Sequence, residues 1–228
     1  MEELVTLLKL RRGASLDDDP GFLLDPYDLK SWHLGLHLET EAWSEPIGYL
    51  RVVENRGISD WRMREIAVQH PEAFADTDDD PAPLPILNDW PDPPALQRFY
   101  ERRAGLDGRI IEATRLTLAP GCDELGLDMF LIESAVAAFF FALCVDAAFM
   151  TTSVMDQERF EKLGFAVAEG TREVRIGSNG NWVVCMVATP DRVKPLLHPC
   201  ILEQAHQYRS AERITMDLGE WMSSVEVA

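Results

Sequence analysis

The stretch DQERFEKLGF, residues 156–165, predicts a short helix with a defined start and end. Asp156 is suited to cap the first turn, because an Asp side chain accepts hydrogen bonds from free main-chain N–H groups. Gly164 is expected to end the helix with a positive φ, a conformation that glycine adopts readily. Leu163 and Phe165 are then expected to point inward. The stretch therefore predicts a helix docked on a buried surface.

The apolar patterns on either side of this helix predict the element order β-β-β-α-β-α-β-β. SWHLGLHLET (31–40) alternates apolar and polar residues, IGYLRVVEN (47–55) follows after a turn, and the two predict an antiparallel hairpin. SNGN (178–181) is a hairpin-turn sequence. The other strands are predicted at 110–118, 147–154, 172–177 and 180–190. Such an order predicts an α/β (α+β) fold, a mixed sheet with helices on its faces.

The most apolar segment, residues 127–149, is interpreted as a largely buried helix. Asp128, Glu133 and Asp146 interrupt it, and its charge-free core, 134–145, is too short to cross a bilayer. No membrane span is therefore predicted.

The chain is expected to form one domain, residues 1–198, followed by a helical C-terminal arm, 199–228. Residues 72–97 are interpreted as an acidic, proline-rich loop, because proline opposes regular structure. The loop is either a surface segment with an apolar foot or a lid over an apolar ligand. The apolar residues of the foot would be Leu84, Ile86, Leu87 and Trp90.

Composition argues against several classes of partner. The 228 residues have a formal net charge of −18, from 39 Asp and Glu against 21 Lys and Arg. Duplex nucleic acid and anionic membrane surfaces are repelled by such a charge. The densest basic stretch, RFYERRAG (98–105), is interpreted as the solvated face of a helix, or alternatively as a docking patch for an acidic carrier protein.

The four cysteines indicate a reducing, cytoplasmic location. None belongs to a CxxC pair, and Cys144 and Cys185 lie in apolar runs typical of a reduced core. The N-terminal stretch has acidic residues where a secretory signal has basic ones. His33 and His37 share a strand face, but exposed strand histidines seldom bind zinc, so no metal site is assigned.

The element order and the helix at 156–165 resemble the GNAT acyltransferase superfamily, in which an aromatic/Glu-x-Leu-Gly-Phe phrase follows the fifth strand. Within it, three motifs resemble the acyl-homoserine-lactone synthases (autoinducer synthases) and the N-acyl amino acid synthases. The resemblance covers about residues 23–190 and implies a GNAT-like mixed, mostly antiparallel central sheet with helices on both faces. The motifs are DPYD with Asp25 and Asp28, GYLRVV with Arg51, and IIEATRLTLAPG with Glu112 and Arg115.

The Glu-x-x-Arg strand carries the predicted catalytic residues. Glu112 is the candidate to hold the acceptor ammonium and to remove its proton, and the resemblance implies the same role. Positions i and i+3 of a regular strand face opposite sides, so Glu112 and Arg115 serve one site only if a bulge separates them. Otherwise Arg115 would pair elsewhere, for example with Asp25 or Asp28. The alternative for Glu112 and Arg115 is a structural salt bridge.

Asp25, Asp28, Arg51 and Thr114 are the candidate acceptor-binding residues. The first three form either an acceptor pocket or a structural ion-pair network, since buried charges are usually paired.

The resemblance also implies a basic and aromatic segment upstream of the Asp pair. This chain has Leu4 and Leu8 at about the expected positions of the Arg and the Phe, and Arg11 or Arg12 is the candidate replacement.

The turn APGCDELGLD (119–128) is the candidate donor site, with Gly121 and Gly126 as phosphopantetheine-binding residues. GNAT enzymes hold the donor phosphates at the N-terminus of the following helix. Three acidic residues of this turn would repel the diphosphate of coenzyme A, which favours an acyl carrier protein as donor and partner. These residues are Asp123, Glu124 and Asp128.

The predicted function is transfer of an acyl group from an acyl-carrier-protein or coenzyme A thioester to a small amine, with no permanently bound cofactor. Phe140 and Trp182 are the candidate acyl-pocket residues, with plain core as the alternative. The leading acceptor is S-adenosylmethionine, which would give an acyl-homoserine-lactone signal for quorum sensing. The alternatives are a free amino acid as acceptor, or a non-catalytic GNAT-like module that binds an acyl ligand or a partner protein.

Overall fold

The computed structural model describes residues 2–12, 24–39, 44–58, 60–73, 82–91, 93–105, 107–122, 125–176, 181–205 and 207. Over these residues the strands are β1 (Ser31–Glu39), β2 (Ser44–Glu54), β3 (Ile110–Leu118), β4 (Ala147–Ser153), β5 (Ala166–Val167), β6 (Val174–Ile176) and β7 (Asn181–Ala188). The α-helices are α1 (Glu2–Arg12), α2 (Trp61–Gln69), α3 (Pro85–Asp89), α4 (Pro93–Ala104), α5 (Leu127–Ala137), α6 (Gln157–Glu161), α7 (Pro190–Val193) and α8 (Pro199–Ala205).

The strands form one mixed sheet in the order β1-β2-β3-β4-β7-β5, and β6 also pairs with β7. The central pair β3–β4 is parallel, whereas the other described pairs are antiparallel. The predicted mixed, mostly antiparallel sheet is confirmed, as is the hairpin of β1 and β2. The parallel pairing runs from Ile110 and Ala147 to Ala113 and Met150 and goes no further. The sheet is therefore split beyond this point, between the ends of β3 and β4.

Helices pack on both faces of the sheet, as predicted. On one face lies α5, which continues through a π-helical turn to Ala142. It is largely buried because most of its residues are apolar, although Glu133 and Ser134 are buried with them. The helix α8 packs in the same apolar cluster. On the other face Phe99 of α4 meets Phe149 of β4, with ring centroids 5.8 Å apart. No helix within the described ranges is both long and apolar enough to span a bilayer.

Part of the predicted loop at 72–97 is helical, which corrects the prediction. It contains α3 and the start of α4, and each of these helices begins with proline. Proline is tolerated there because the first N–H groups of a helix have no intrahelical partner. The apolar foot is docked as predicted, since the following residues are buried: Leu84, Ile86, Leu87 and Trp90.

The stretch 156–165 ends as predicted but does not begin as predicted. Gly164 has a φ of 89°, its N–H donates to the Glu161 carbonyl, and the Phe165 N–H donates to the Phe160 carbonyl. This pattern is a Schellman motif. The Asp156 side chain makes no capping bond; instead, Ser153 Oγ accepts a hydrogen bond from the Asp156 N–H at 3.2 Å. The reason is a 3₁₀ turn that precedes α6 and takes over the capping position.

Cysteine burial agrees with the prediction at one position and contradicts it at another. Cys185 is buried, but Cys144 is exposed because the chain leaves the core there with a φ of 56°. Most of the SNGN turn and residues 208–228 of the predicted C-terminal arm lie outside the described residues.

Candidate active site

The strand β3 contains the bulge on which the predicted site depends. Arg51 of β2 pairs with Thr114, but the next described pair is Tyr49 with Thr117, so two β3 residues oppose a single β2 residue. Arg115, the first of the two, has a φ of 57°. A bulge of this kind adds one residue to a strand and changes the direction of its side chains.

The bulge brings the Arg115 side chain close to Asp25. Arg115 Nη2 lies 3.5 Å from Asp25 Oδ2, while more than half of the Arg115 side chain remains exposed. Arg115 thus pairs with Asp25, a partner that was expected only for a strand without a bulge, although the bulge is present. The arrangement leaves guanidinium N–H groups facing solvent, where they can bind an anionic group.

Arg51 is the centre of a buried ion-pair network. Its Nη1 donates to both carboxylate oxygens of Asp25 at 2.7 Å and to Asp28 Oδ1 at 2.9 Å. Its Nε donates to Thr114 Oγ1 at 3.0 Å. Burial alone would lower the pKa of Arg51, but the two carboxylates raise it above its ordinary value. The four predicted acceptor-binding residues are therefore in direct contact.

A second arginine reaches this network from α1. Arg11 Nη1 lies 2.5 Å from Asp28 Oδ1, and its guanidinium stands 5.8 Å from the centre of the Tyr49 ring. Burial alone would raise the pKa of Asp28, but the two arginines lower it below its ordinary value. Leu4 and Leu8 are buried in a separate apolar cluster. Arg11, one of the two candidate replacements, is therefore in contact with the network.

Glu112 is buried, and none of the ion pairs among the described residues includes it. Its Oε2 accepts a hydrogen bond from the main-chain N–H of Ile86 at 2.8 Å. Burial raises the pKa of Glu112 to about 8, while the Ile86 N–H and the charge of Arg51 act in the opposite direction. A carboxyl group with such a pKa exchanges protons close to neutral pH, as a general base must.

Residues 82–91, called the strap below, lie against this site. Besides the bond from Ile86, Asn88 Nδ2 donates to the Tyr27 hydroxyl at 2.7 Å, and Lys30 Nζ donates to the Ala82 carbonyl at 3.4 Å. Burial raises the pKa of Asp89 on the strap; Arg115 opposes this shift, and Asp25 adds to it. The strap is thus joined to the site by hydrogen bonds as well as by its apolar foot.

Two groups of this site were not predicted. Tyr27 is buried, and its ring lies 5.9 Å from the guanidinium of Arg51. Its place inside the DPYD motif was a usable signal. The Ile86 N–H has no such signal, because every residue except proline carries the same main-chain group.

The histidine face of β1 differs from the prediction. His33 is half-buried, and its ring nitrogens lie 2.8 Å from the Tyr49 hydroxyl and 3.0 Å from the Asp28 carbonyl. Within the described parts of the chain, no group of three or more His, Cys, Asp and Glu residues is arranged to hold a metal ion.

The candidate donor turn lies between β3 and α5. Gly121 and Gly126 both have positive φ, 83° and 70°, and Gly126 precedes the first residue of α5. Asp128 Oδ2 pairs with Arg159 of α6 at 2.8 Å, so its charge is partly neutralised. This pairing weakens the argument against coenzyme A, and Asp123 and Glu124 lie outside the described residues.

The two candidate acyl-pocket residues have different surroundings among the described residues. Phe140 is buried in the apolar cluster around α5, where it contributes to the core. Trp182 is half-exposed and lines a cavity of about 470 Å³ that does not include Phe140. The Arg175 guanidinium stands 4.9 Å from the centre of the Trp182 ring.

No protein-family model matches the sequence, and no curated protein matches it. Solved structures do match the fold. The AHL (acyl-homoserine-lactone) synthase LasI superposes with a TM-score of 0.52 at 13% identity, over 86% of this chain and 88% of LasI. This likeness establishes a shared fold.

Two further structures superpose less closely. BjaI, a coenzyme A-dependent acyl-homoserine lactone synthase solved with SAM and isopentyl-CoA, has a TM-score of 0.47 at 15% identity, over 93% of this chain and 85% of BjaI. FeeM, an N-acyl amino acid synthase from uncultured soil microbes, has a TM-score of 0.46 at 11% identity, over 86% of this chain and 87% of FeeM.

Proposed function

We propose that this protein is a cytoplasmic N-acyltransferase that moves an acyl group from a thioester to a small amine. The observation that carries the proposal is the state of Glu112, a buried carboxyl group outside every described ion pair, three residues before the bulge at Arg115. A structural carboxylate at such a place is expected to be paired with a cation. The fold shared with LasI supports the same class of reaction.

In the proposed reaction, Glu112 takes a proton from the acceptor ammonium, directly or through one water. The free amine then attacks the thioester carbonyl carbon, the C–S bond breaks, and the departing thiolate takes up a proton. Main-chain N–H groups at the split between β3 and β4 polarise the carbonyl, as fixed donors do in acyl transfer. Arg115 binds a carboxylate of the acceptor with the N–H groups that Asp25 leaves accessible.

The leading acceptor is S-adenosylmethionine. After N-acylation its carboxylate would attack the γ-carbon, the bond from that carbon to sulfur would break, and methylthioadenosine would leave, which gives an acyl-homoserine lactone. Support comes from the network of Asp25, Asp28, Arg51 and Thr114, together with Arg11, a candidate replacement for the basic residue that the family resemblance implies.

A free amino acid is the second candidate acceptor. The buried face of α1 consists of leucines, so Leu4 and Leu8 contribute no polar or aromatic group to an adenosyl pocket. An amino acid needs only groups for its ammonium and its carboxylate. The donor is either an acyl carrier protein, through its phosphopantetheine arm, or coenzyme A.

Mass spectrometry of organic extracts tests these proposals. Cells that express the wild type are compared with cells that express Glu112→Gln, which keeps the size of the side chain and its ability to accept the Ile86 N–H. We expect a new acyl-homoserine lactone or N-acyl amino acid from the wild type, and at least about a hundredfold less from the variant. No new product from the wild type would favour a non-catalytic binding module, whereas full activity of Glu112→Gln would remove the role of Glu112.

A further inference from the structure

The strap contributes one main-chain group directly to the proposed base. The Ile86 N–H donates to Glu112 Oε2 at 2.8 Å, and both residues are almost fully buried. A buried hydrogen bond to a carboxylate is stronger than one between neutral groups, and it also fixes the direction of the carboxyl group.

The strap is held in place independently of this bond. Three residues of the strap, Leu84, Leu87 and Trp90, are buried in one apolar cluster. The same cluster includes Tyr27 and also Val53, which belongs to β2. Asn88 bonds the Tyr27 hydroxyl, and Lys30 bonds the Ala82 carbonyl. Because the strap is anchored at several points, the position of the Ile86 N–H is set by the fold and not by Glu112 itself.

We propose that the main-chain N–H of Ile86 is a positioning group that holds the Glu112 carboxylate in the orientation for proton removal, which makes the strap a part of the active site. This inference rests on the proposed function. The N–H stabilises the charged form of Glu112, so it keeps the carboxylate available at a lower pH than burial alone would allow.

Ile86→Pro removes this N–H specifically. Ile86 is the second residue of α3 and follows Pro85. The pair Pro-Pro is compatible with the first turn of a helix, because α4 of this chain begins with Pro93 and Pro94. Ile86→Ala is the matched control, since it loses more of the side chain than Ile86→Pro but keeps the N–H.

The first readout is the pH dependence of kcat/KM for N-acyl transfer. For Ile86→Pro we expect kcat/KM at pH 7 to fall about tenfold and the rising limb to move up by about one pH unit. Ile86→Ala should keep the limb at the wild-type pH. If the wild type forms product and the rising limb lies at the same pH in both variants, the inference about Ile86 is overturned while the proposed function stands. Absence of product from the wild type would overturn the proposed function and, with it, the role in proton removal.

The second readout needs no variant of the strap. In the wild type, the amide proton resonance of Ile86 is followed by NMR from pH 5 to pH 10, since an amide bonded to a carboxylate reports its titration. We expect a midpoint near the pKa of Glu112, about 8, and a flat curve in Glu112→Gln. A flat curve in the wild type would overturn the inference even if Ile86→Pro fails to fold.

Discussion

At the scale of the residue, burial and one hydrogen bond set the chemistry of Glu112. Removing a carboxylate from water disfavours its charge, and a single N–H offsets only part of that cost. The neighbouring acids differ from it, because Asp25 and Asp28 share the cations Arg11, Arg51 and Arg115. The acidic groups of this site therefore have separate roles. Asp25 and Asp28 form ion pairs with arginines, whereas Glu112 is the proposed base.

The raised pKa of Glu112 predicts how stability depends on pH. Its pKa in the folded state, about 8, lies above the ordinary value of 4.5, so folding favours the protonated form. This stabilisation is complete below pH 4.5 and is lost as the pH rises through 8, by at most about 1.4 kcal/mol per pH unit. The free energy of unfolding of the wild type should therefore fall relative to that of Glu112→Gln between pH 5 and 8, as measured by urea denaturation.

The control for this experiment is Glu101→Gln, which removes an exposed carboxylate of α4. It should keep the pH dependence of the wild type. Parallel curves for the wild type and Glu112→Gln would contradict the raised pKa of Glu112.

Arg51 is predicted to be essential for stability. Arg51→Met leaves Asp25 and Asp28 with less compensating charge in a buried position. We expect the free energy of unfolding at pH 7 to fall by about 3–5 kcal/mol. Lys162→Ala, which removes an exposed i,i+4 pair with Glu158, should change it by less than about 0.5 kcal/mol. A loss of similar size in both variants would mean that the network contributes no more than a surface pair.

At the scale of the element, two left-handed residues define how the chain joins its parts. Arg115 adopts a positive φ inside β3 and thereby turns the strand at the site. Gly164 adopts one at the end of the helical segment and lets the chain return to the sheet at β5. Only the second position was predictable, because glycine marks it and no residue type marks the first.

Gly164→Ala is expected to destabilise the fold for two separate reasons. A Cβ atom at Gly164 would lie 2.7 Å from the Arg192 carbonyl oxygen, and φ is 89°. Gly170 has a similar φ of 81° with nothing within 4 Å of its Cβ position, so Gly170→Ala measures the conformational cost alone. That cost is about 1 kcal/mol, and Gly164→Ala should lose at least about twice as much in thermal or urea unfolding. Equal losses would contradict the close contact with Arg192.

At the scale of the whole molecule, the net charge of −18 contrasts with the balanced charges of the site. Surface carboxylates repel one another across the folded surface, whereas the buried pairs are shielded from solvent ions. The contribution of the surface carboxylates to stability should therefore change with salt, and that of the buried ion pairs should not.

Raising NaCl from about 0.05 M to about 0.5 M should raise the midpoint of thermal unfolding by about 2–4 °C, which corresponds to about 1 kcal/mol. The penalty of Arg51→Met should be nearly the same at both concentrations, because the pair it removes is buried. A midpoint that falls with salt would show that attractive surface pairs outweigh the repulsion.

The sequence by itself determined the sheet type, the hairpin of β1 and β2, the helices α5 and α6, and the main candidate residues of the site, but not α2, α3 or β5. Their signals are local: a strand period of two, a glycine after a helix, and charged residues inside an apolar run. Glu112 was found in this way, whereas the motifs with Asp25 and Arg51 were found through the family resemblance. The sequence also showed that Glu112 and Arg115 serve one site only if a bulge separates them. It did not show that the bulge is present.

Only the tertiary structure decided which groups meet. The strap contacts Glu112, and Arg11 contacts Asp28, only because distant parts of the chain come together. The different surroundings of Phe140 and Trp182 have the same origin. Such contacts follow from how apolar surfaces pack together, and no local period encodes them. A main-chain N–H carries no sequence signal at all, so the bond that orients the proposed base becomes visible only when the strap is in place.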